Sequence, residues 1–193
     1  MPLPISRQQA IELLKSFPQT ESDFNHYLES EAIMRELAKK FGEDVDYWGM
    51  LGLLHDVDWA LTKTNIKEHL TKAPDILKEN GFDKEFIEAI VSHGYGYDCA
   101  GLENKKRSKK IEFALAASET LTGLIHAYAL MRRKNLSEME VKGLKKKFKD
   151  KTFAAGCDRE IINEIENLGI SLDEFFELSI EGIKKIKDDV GLN

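Results

Sequence analysis

The chain has 193 residues, 42% apolar and 32% charged, with 28 Lys and Arg against 34 Asp and Glu for a net charge of −6. That length predicts one domain whose core stands without disulfides, and the composition excludes collagen-like, mucin-like and wholly disordered chains. No apolar run approaches the roughly 20 residues of a membrane span. The first residues lack the basic-then-apolar order of a secretory signal, and net acidity argues against nucleic acid as the main partner. Cys99 and Cys157 form no CxxC unit, so a reducing cytoplasm is the expected compartment.

The pattern reads as helix after helix. Ser6 to Gln9 predicts a capping box before an apolar face of Ile11, Leu13 and Leu14, closed by Pro18. Asp23 predicts a cap for a second helix from about His26 to Lys40, with Gly42 as a left-handed stop. A third helix is expected from Asp44 to about His55. It is greasy on nearly all sides, as the middle helix of a bundle would be. Residues 59–65 read as loop, 66–79 as helix ending at Gly81, and Asp83 as the cap of a helix over 84–92. His93 to Ser108 carries three glycines and many charges and reads as loop. A long helix rich in small residues follows, from Lys110 to Arg132. Ser137-Glu-Met-Glu140 and Ser171-Leu-Asp-Glu174 predict capping boxes for later helices, the last with a stripe of Phe175, Phe176, Ile180, Ile183 and Ile186. No strand pair with hairpin chemistry is found. The expected architecture is an all-α, single-domain bundle over 1–193.

The chemistry concentrates at His55-Asp56, where an imidazole and a carboxylate sit side by side at the end of an apolar helix. A charged carboxylate there is costly unless it is paired or binds metal. Neighbours on a regular helix point about 100° apart, so both reach one ion only near a helix end. Four of the five histidines, His26, His55, His69 and His93, fall in the first half of the chain. Glu119 stands alone among small and apolar residues of the long helix. Imidazole and carboxylate together suit Zn, Fe, Mn or Ni, and the absence of thiolate argues against a cysteine-type structural zinc. His126, two turns beyond Glu119, reads as a core or pocket histidine. The cysteines lack the basic partners of a nucleophile, and Gly94-Tyr95-Gly96 lacks the context of a phosphate loop.

The order His26, His55-Asp56, Glu119 resembles the HD-domain superfamily of metal-dependent phosphohydrolases, over about residues 22–133. The resemblance implies a helical bundle in which His26, His55, Asp56 and Glu119 bind a divalent metal. His69 and His93 resemble the two additional histidines of a subset that holds two ions, with Asp56 bridging them. The family usually has Asp where this chain has Glu119. The extra methylene adds roughly 1.5 Å of reach and allows Glu119 to ligate, to stand behind a ligand or to act as a base.

The implied function is hydrolysis of a nucleotide or other small phosphoester by water activated at one or two ions of Fe, Mn, Zn, Ni or Mg. Asp56, Asp58 and Glu119 are the expected catalytic carboxylates, the latter two as candidates to position the water. Asp58 also reads as loop-forming or as support for a ligand. Lys63, or the cluster Lys105 to Lys110, would neutralise substrate oxygens. That cluster and the second one, Lys145 to Lys151, also read as solvated surface. The alternative is a non-catalytic HD-type nucleotide-sensing or protein-interaction domain, motivated by Glu119. Residues from about 137 to 193 are expected as a helical extension, with a homodimer surface among its candidate roles.

Overall fold

A computed structural model describes residues 2–193, and among them there is no strand. The expected all-α bundle is the observed one. No helix among the described residues is long and apolar enough to cross a membrane.

The first helix, α1 (Arg7–Lys15), starts with the expected box: Ser6 Oγ accepts from the Gln9 amide and Gln9 Oε1 from the Ser6 amide. Arg7 makes a bidentate pair with the buried Glu31, Nε to Oε1 2.7 Å and Nη2 to Oε2 2.8 Å, tying α1 to the next helix. That helix, α2 (Glu21–Phe41), starts five residues before the expected His26. Its cap is Thr20, and Asp23 is the residue that answers it, taking the Thr20 amide on Oδ2 at 2.9 Å. Both residues have capping chemistry, and the box between them decides which one ends the helix. Gly42 closes α2 at φ +69°, as expected.

α2 packs most extensively on α3 (Val45–Leu54), and also on α7 (Lys110–Met131) and α10 (Leu172–Lys184). The α2–α3 approach is backbone on backbone. A Cβ on Gly52 would stand 2.6 Å from the Ser30 carbonyl oxygen and 2.8 Å from the Glu31 amide. The greasy α3 is the buried middle helix: Trp48 to Leu54 are all buried.

Residues 59–65, expected as loop, contain the short α4 (Trp59–Thr62). The helix expected over 66–79 is broken: a 3-10 turn over Ile66–Glu68 precedes His69, and Leu70 takes φ +67° before α5 (Ala73–Glu79). Asp83 caps α6 (Lys84–Val91), which tightens into a 3-10 turn at Ser92–Gly94.

Beyond α7, Ser137 is not a helix cap. It gives its amide to the Asn193 carbonyl, and α8 (Val141–Lys149) begins at Glu140 with no side-chain cap. A short α9 (Arg159–Asn163), not foreseen, runs into a 3-10 turn over Glu164–Leu168, and α10 has the expected Ser171 cap. Arg159, buried, gives its guanidinium to the carbonyls of Phe148, Phe153, Ala154 and Cys157 and so fixes the loop between α8 and α9. That loop comes down on α7 where a side chain is missing: a Cβ on Gly123 would meet Cys157 Sγ at 2.8 Å.

Candidate metal centre

Four imidazoles converge on Asp56, and in each the Nδ1 is already engaged. His55 Nδ1 lies 2.8 Å from the Gly52 carbonyl and His93 Nδ1 2.7 Å from the Ile90 carbonyl, each one turn back on its own chain. His69 Nδ1 lies 3.2 Å from Asp58 Oδ1. His26 Nδ1 lies 2.8 Å from Thr122 Oγ1, whose own proton goes to the Glu119 carbonyl at 2.6 Å. With every Nδ1 donating, each neutral ring has an unshared pair on Nε2.

Those pairs face one another. His26 Nε2 and His55 Nε2 are 2.9 Å apart, and His69 Nε2 and His93 Nε2 are 3.1 Å apart. Two nitrogens about 2.1 Å from a common ion and about 90° apart lie about 3.0 Å from each other, so the spacing fits adjacent positions on a six-coordinate ion. Asp56 divides its oxygens between the pairs. Oδ2 is 3.8 Å from His26 Nε2 and 3.7 Å from His55 Nε2. Oδ1 is 3.2 Å from His69 Nε2 and 3.3 Å from His93 Nε2. The result is two triplets able to hold an ion each, His26–His55–Asp56 and Asp56–His69–His93, with Asp56 common to both.

Burial disfavours charge on His55 and holds it at about 3, so this ring stays a neutral ligand. Burial also works against the His69 imidazolium, but Asp56 and Asp58 outweigh it and raise His69 to about 10. Asp56 is opposed by its own burial, yet the surrounding imidazoles hold it well below the usual carboxylate range.

Two expectations about carboxylates change. Asp58 is fully buried, with Oδ1 on His69 and Oδ2 accepting the amides of Lys72 at 3.0 Å and Ala73 at 3.1 Å. It holds His69 from behind and lines neither cavity at the centre, so it does not face the place where water would be positioned. Glu119 belongs to neither triplet. Its Oε1 accepts from the Thr120 hydroxyl at 2.6 Å, while the carboxyl lines the cavity that His26, His69 and His93 also line. Burial pushes its pKa up, against the pull of His93 and His26.

Several of the basic residues are engaged with acids or carbonyls. In the first cluster, the buried Arg107 guanidinium gives Nη1 to the carbonyls of Ser92, His93 and Tyr95 and pairs with Glu164. Lys109 and Lys110 pair with Glu88 and Glu43. Lys63 Nζ is 3.0 Å from Asp23 Oδ2.

Two cavities of about 420 and 550 Å³ meet at the centre, sharing His26, Asp56, Trp59, Thr122 and Gly123 as walls. The smaller is also lined by His126, whose Nδ1 is 2.6 Å from the buried Glu29. That places His126 at a pocket wall. Gly156 and Cys157, from the loop fixed by Arg159, wall the larger cavity. Sequence reasoning did not single out Thr122, Glu29, Trp59 or Arg159. Thr122 lies one turn after Glu119 on the same helix, and that spacing was its only signal.

No curated protein and no solved structure matches the chain significantly. The sequence pattern of the HD domain matches residues 23–138, more than half of the chain and all of the residues of both triplets. The chain therefore belongs to the HD-domain family.

Proposed function

We propose that the protein is a metal-dependent phosphohydrolase working with two divalent ions on a small phosphoester. The observation that carries this reading is the division of Asp56, one oxygen toward each pair of facing Nε2 atoms. Ions held there would polarise a phosphoryl oxygen and bring the acidity of water close to neutrality.

The chain's own contribution is orientation and proton handling. Gly52, Ile90, Asp58 and Thr122 hold the Nδ1 side of each ring, so all four Nε2 atoms stay aimed at one place. Glu119, with one oxygen on Thr120 and a carboxyl whose burial favours the protonated form, is placed to accept a proton at its other oxygen. Trp59 walls both cavities and packs nearly perpendicular to the His69 ring, with the ring centres 5.3 Å apart.

Elemental analysis beside a phosphatase screen tests the proposal. The expected result is near two equivalents of Fe, Mn, Zn or Ni, phosphoester turnover that follows loading, and loss of both in Asp56→Ala. Turnover that survives in Asp56→Ala would sink it. The position of Glu119 outside both triplets favours a second reading, a domain that loads metal and binds a nucleotide without turnover. Glu119→Asp separates the two: a gain of turnover points to a site idled by that residue.

A further inference from the structure

The walls around the metal centre carry acids that already have partners, and no free lysine or arginine. Asp23, Glu29 and Asp56 border the smaller cavity and Asp56, Asp98 and Glu119 the larger, and no lysine or arginine lines either. Two lysines touch those acids, and each is engaged: Lys63 on Asp23, and Lys67 Nζ 2.9 Å from Asp98 Oδ2. Lys151 and Arg159 border an adjoining groove that shares Tyr97, Gly156 and Cys157 with the larger cavity, and Arg159 is committed there to backbone carbonyls.

An enzyme acting on a nucleoside di- or triphosphate has to neutralise the phosphates that do not react, which calls for lysine, arginine or further metal. Neither cavity has a lysine or arginine in its wall to give them. What the cavities do offer suits an uncharged group. The Trp59 indole faces both, and Ala127 and Leu130 add apolar surface to the smaller one, beside the amide of Asn25. His126, held through Nδ1 by Glu29, has Nε2 as its second polar atom, and an imidazolium paired with that carboxylate is neutral as a unit.

We infer that the substrate is a phosphomonoester of an uncharged, partly apolar alcohol, seated in the smaller cavity between Trp59 and the Glu29–His126 pair. The inference rests on the phosphohydrolase reading and narrows it. Water adds to phosphorus, the phosphorus–oxygen bond to the alcohol breaks, and the alcohol oxygen leaves with a proton. The products are the free alcohol and inorganic phosphate.

The test uses metal-loaded, full-length protein and matched substrates: a nucleoside 5′-monophosphate with its di- and triphosphate, and an aryl monophosphate. Release of phosphate and pyrophosphate is followed. The monophosphates are expected to show kcat/KM at least about tenfold above the triphosphate. Leu130→Lys, at a half-exposed wall position, adds a cation and is expected to raise the triphosphate-to-monophosphate ratio of kcat/KM. A wild-type preference for di- or triphosphates, or an unchanged ratio in Leu130→Lys, overturns the inference and leaves the phosphohydrolase reading standing. Fully loaded protein that turns over no phosphoester overturns both.

Discussion

Asp58 holds His69 from behind: its Oδ1 takes the ring's Nδ1–H at 3.2 Å while its Oδ2 takes the amides of Lys72 and Ala73. One buried carboxylate thus orients a candidate metal ligand and anchors the start of α5. Asp58→Ala is expected to weaken metal binding at the His69–His93 position by about 10- to 100-fold, leaving the amides of Lys72 and the buried Ala73 without a partner. Competition with a chelator of known affinity measures it. Unchanged affinity at both positions would contradict the role.

Proton linkage follows from the two histidines with opposite shifts. In the metal-free protein His69 is raised to about 10, above the ordinary value of about 6.5. Its stabilisation is complete below pH 6.5 and is lost as pH rises toward 10. His55 is lowered to about 3, so its contribution is complete above pH 6.5 and is lost as pH falls toward 3. Chelator-treated protein should therefore lose Tm on both sides of about pH 6.5, and metal should abolish the alkaline loss. Near pH 8, loading should release about one proton, because His69 must give up its Nε2 proton to ligate. Titration calorimetry in buffers of different ionisation enthalpy reads this number, and a value of zero would refute it.

The close approach at Gly52 gives a steric prediction. Its neighbours are backbone atoms of Ser30 and Glu31, which cannot rotate away. Gly52→Ala should cost about 2 kcal/mol or more in a denaturant titration. Because α2 carries His26 and α3 leads into His55, the variant should also load less metal at that pair. A variant of wild-type stability and metal content would show that the helices separate freely.

Arg107 supports the other pair. It gives one nitrogen to three carbonyls around His93 and two to Glu164. Arg107→Lys cannot reproduce this planar, many-armed contact. The lysine keeps a charge for Glu164 but leaves carbonyls around His93 without a partner, at a cost of about 1–3 kcal/mol. The expected signature is a fall from two ions toward one, read by elemental analysis, with His26–His55 retained.

The fold was legible where local chemistry is strong. Greasy α3 with its Asp44 cap, the Gly42 stop and the small-residue run of α7 all declare themselves within one turn of chain. The residues of the two triplets were legible because a His-Asp pair ending an apolar helix has few structural uses. What escaped depends on distant partners. Arg107 looks like surface charge until Glu164, 57 residues away, is brought beside it. Asp58 looks like a loop residue until His69 and the amides of α5 fold onto it. The misplacements at Thr20 and Ser137 have the opposite cause. Capping patterns are short and common, and the tertiary context selects among them.

The loop caged by Arg159 gives the cavity Gly156 and Cys157 as wall residues, and both lie beyond residue 138, where the HD match ends. The larger cavity therefore takes part of its wall from outside the stretch that carries both triplets. Recasting the 150–158 segment would reshape that wall while His26, His55, Asp56, His69 and His93 stay in place.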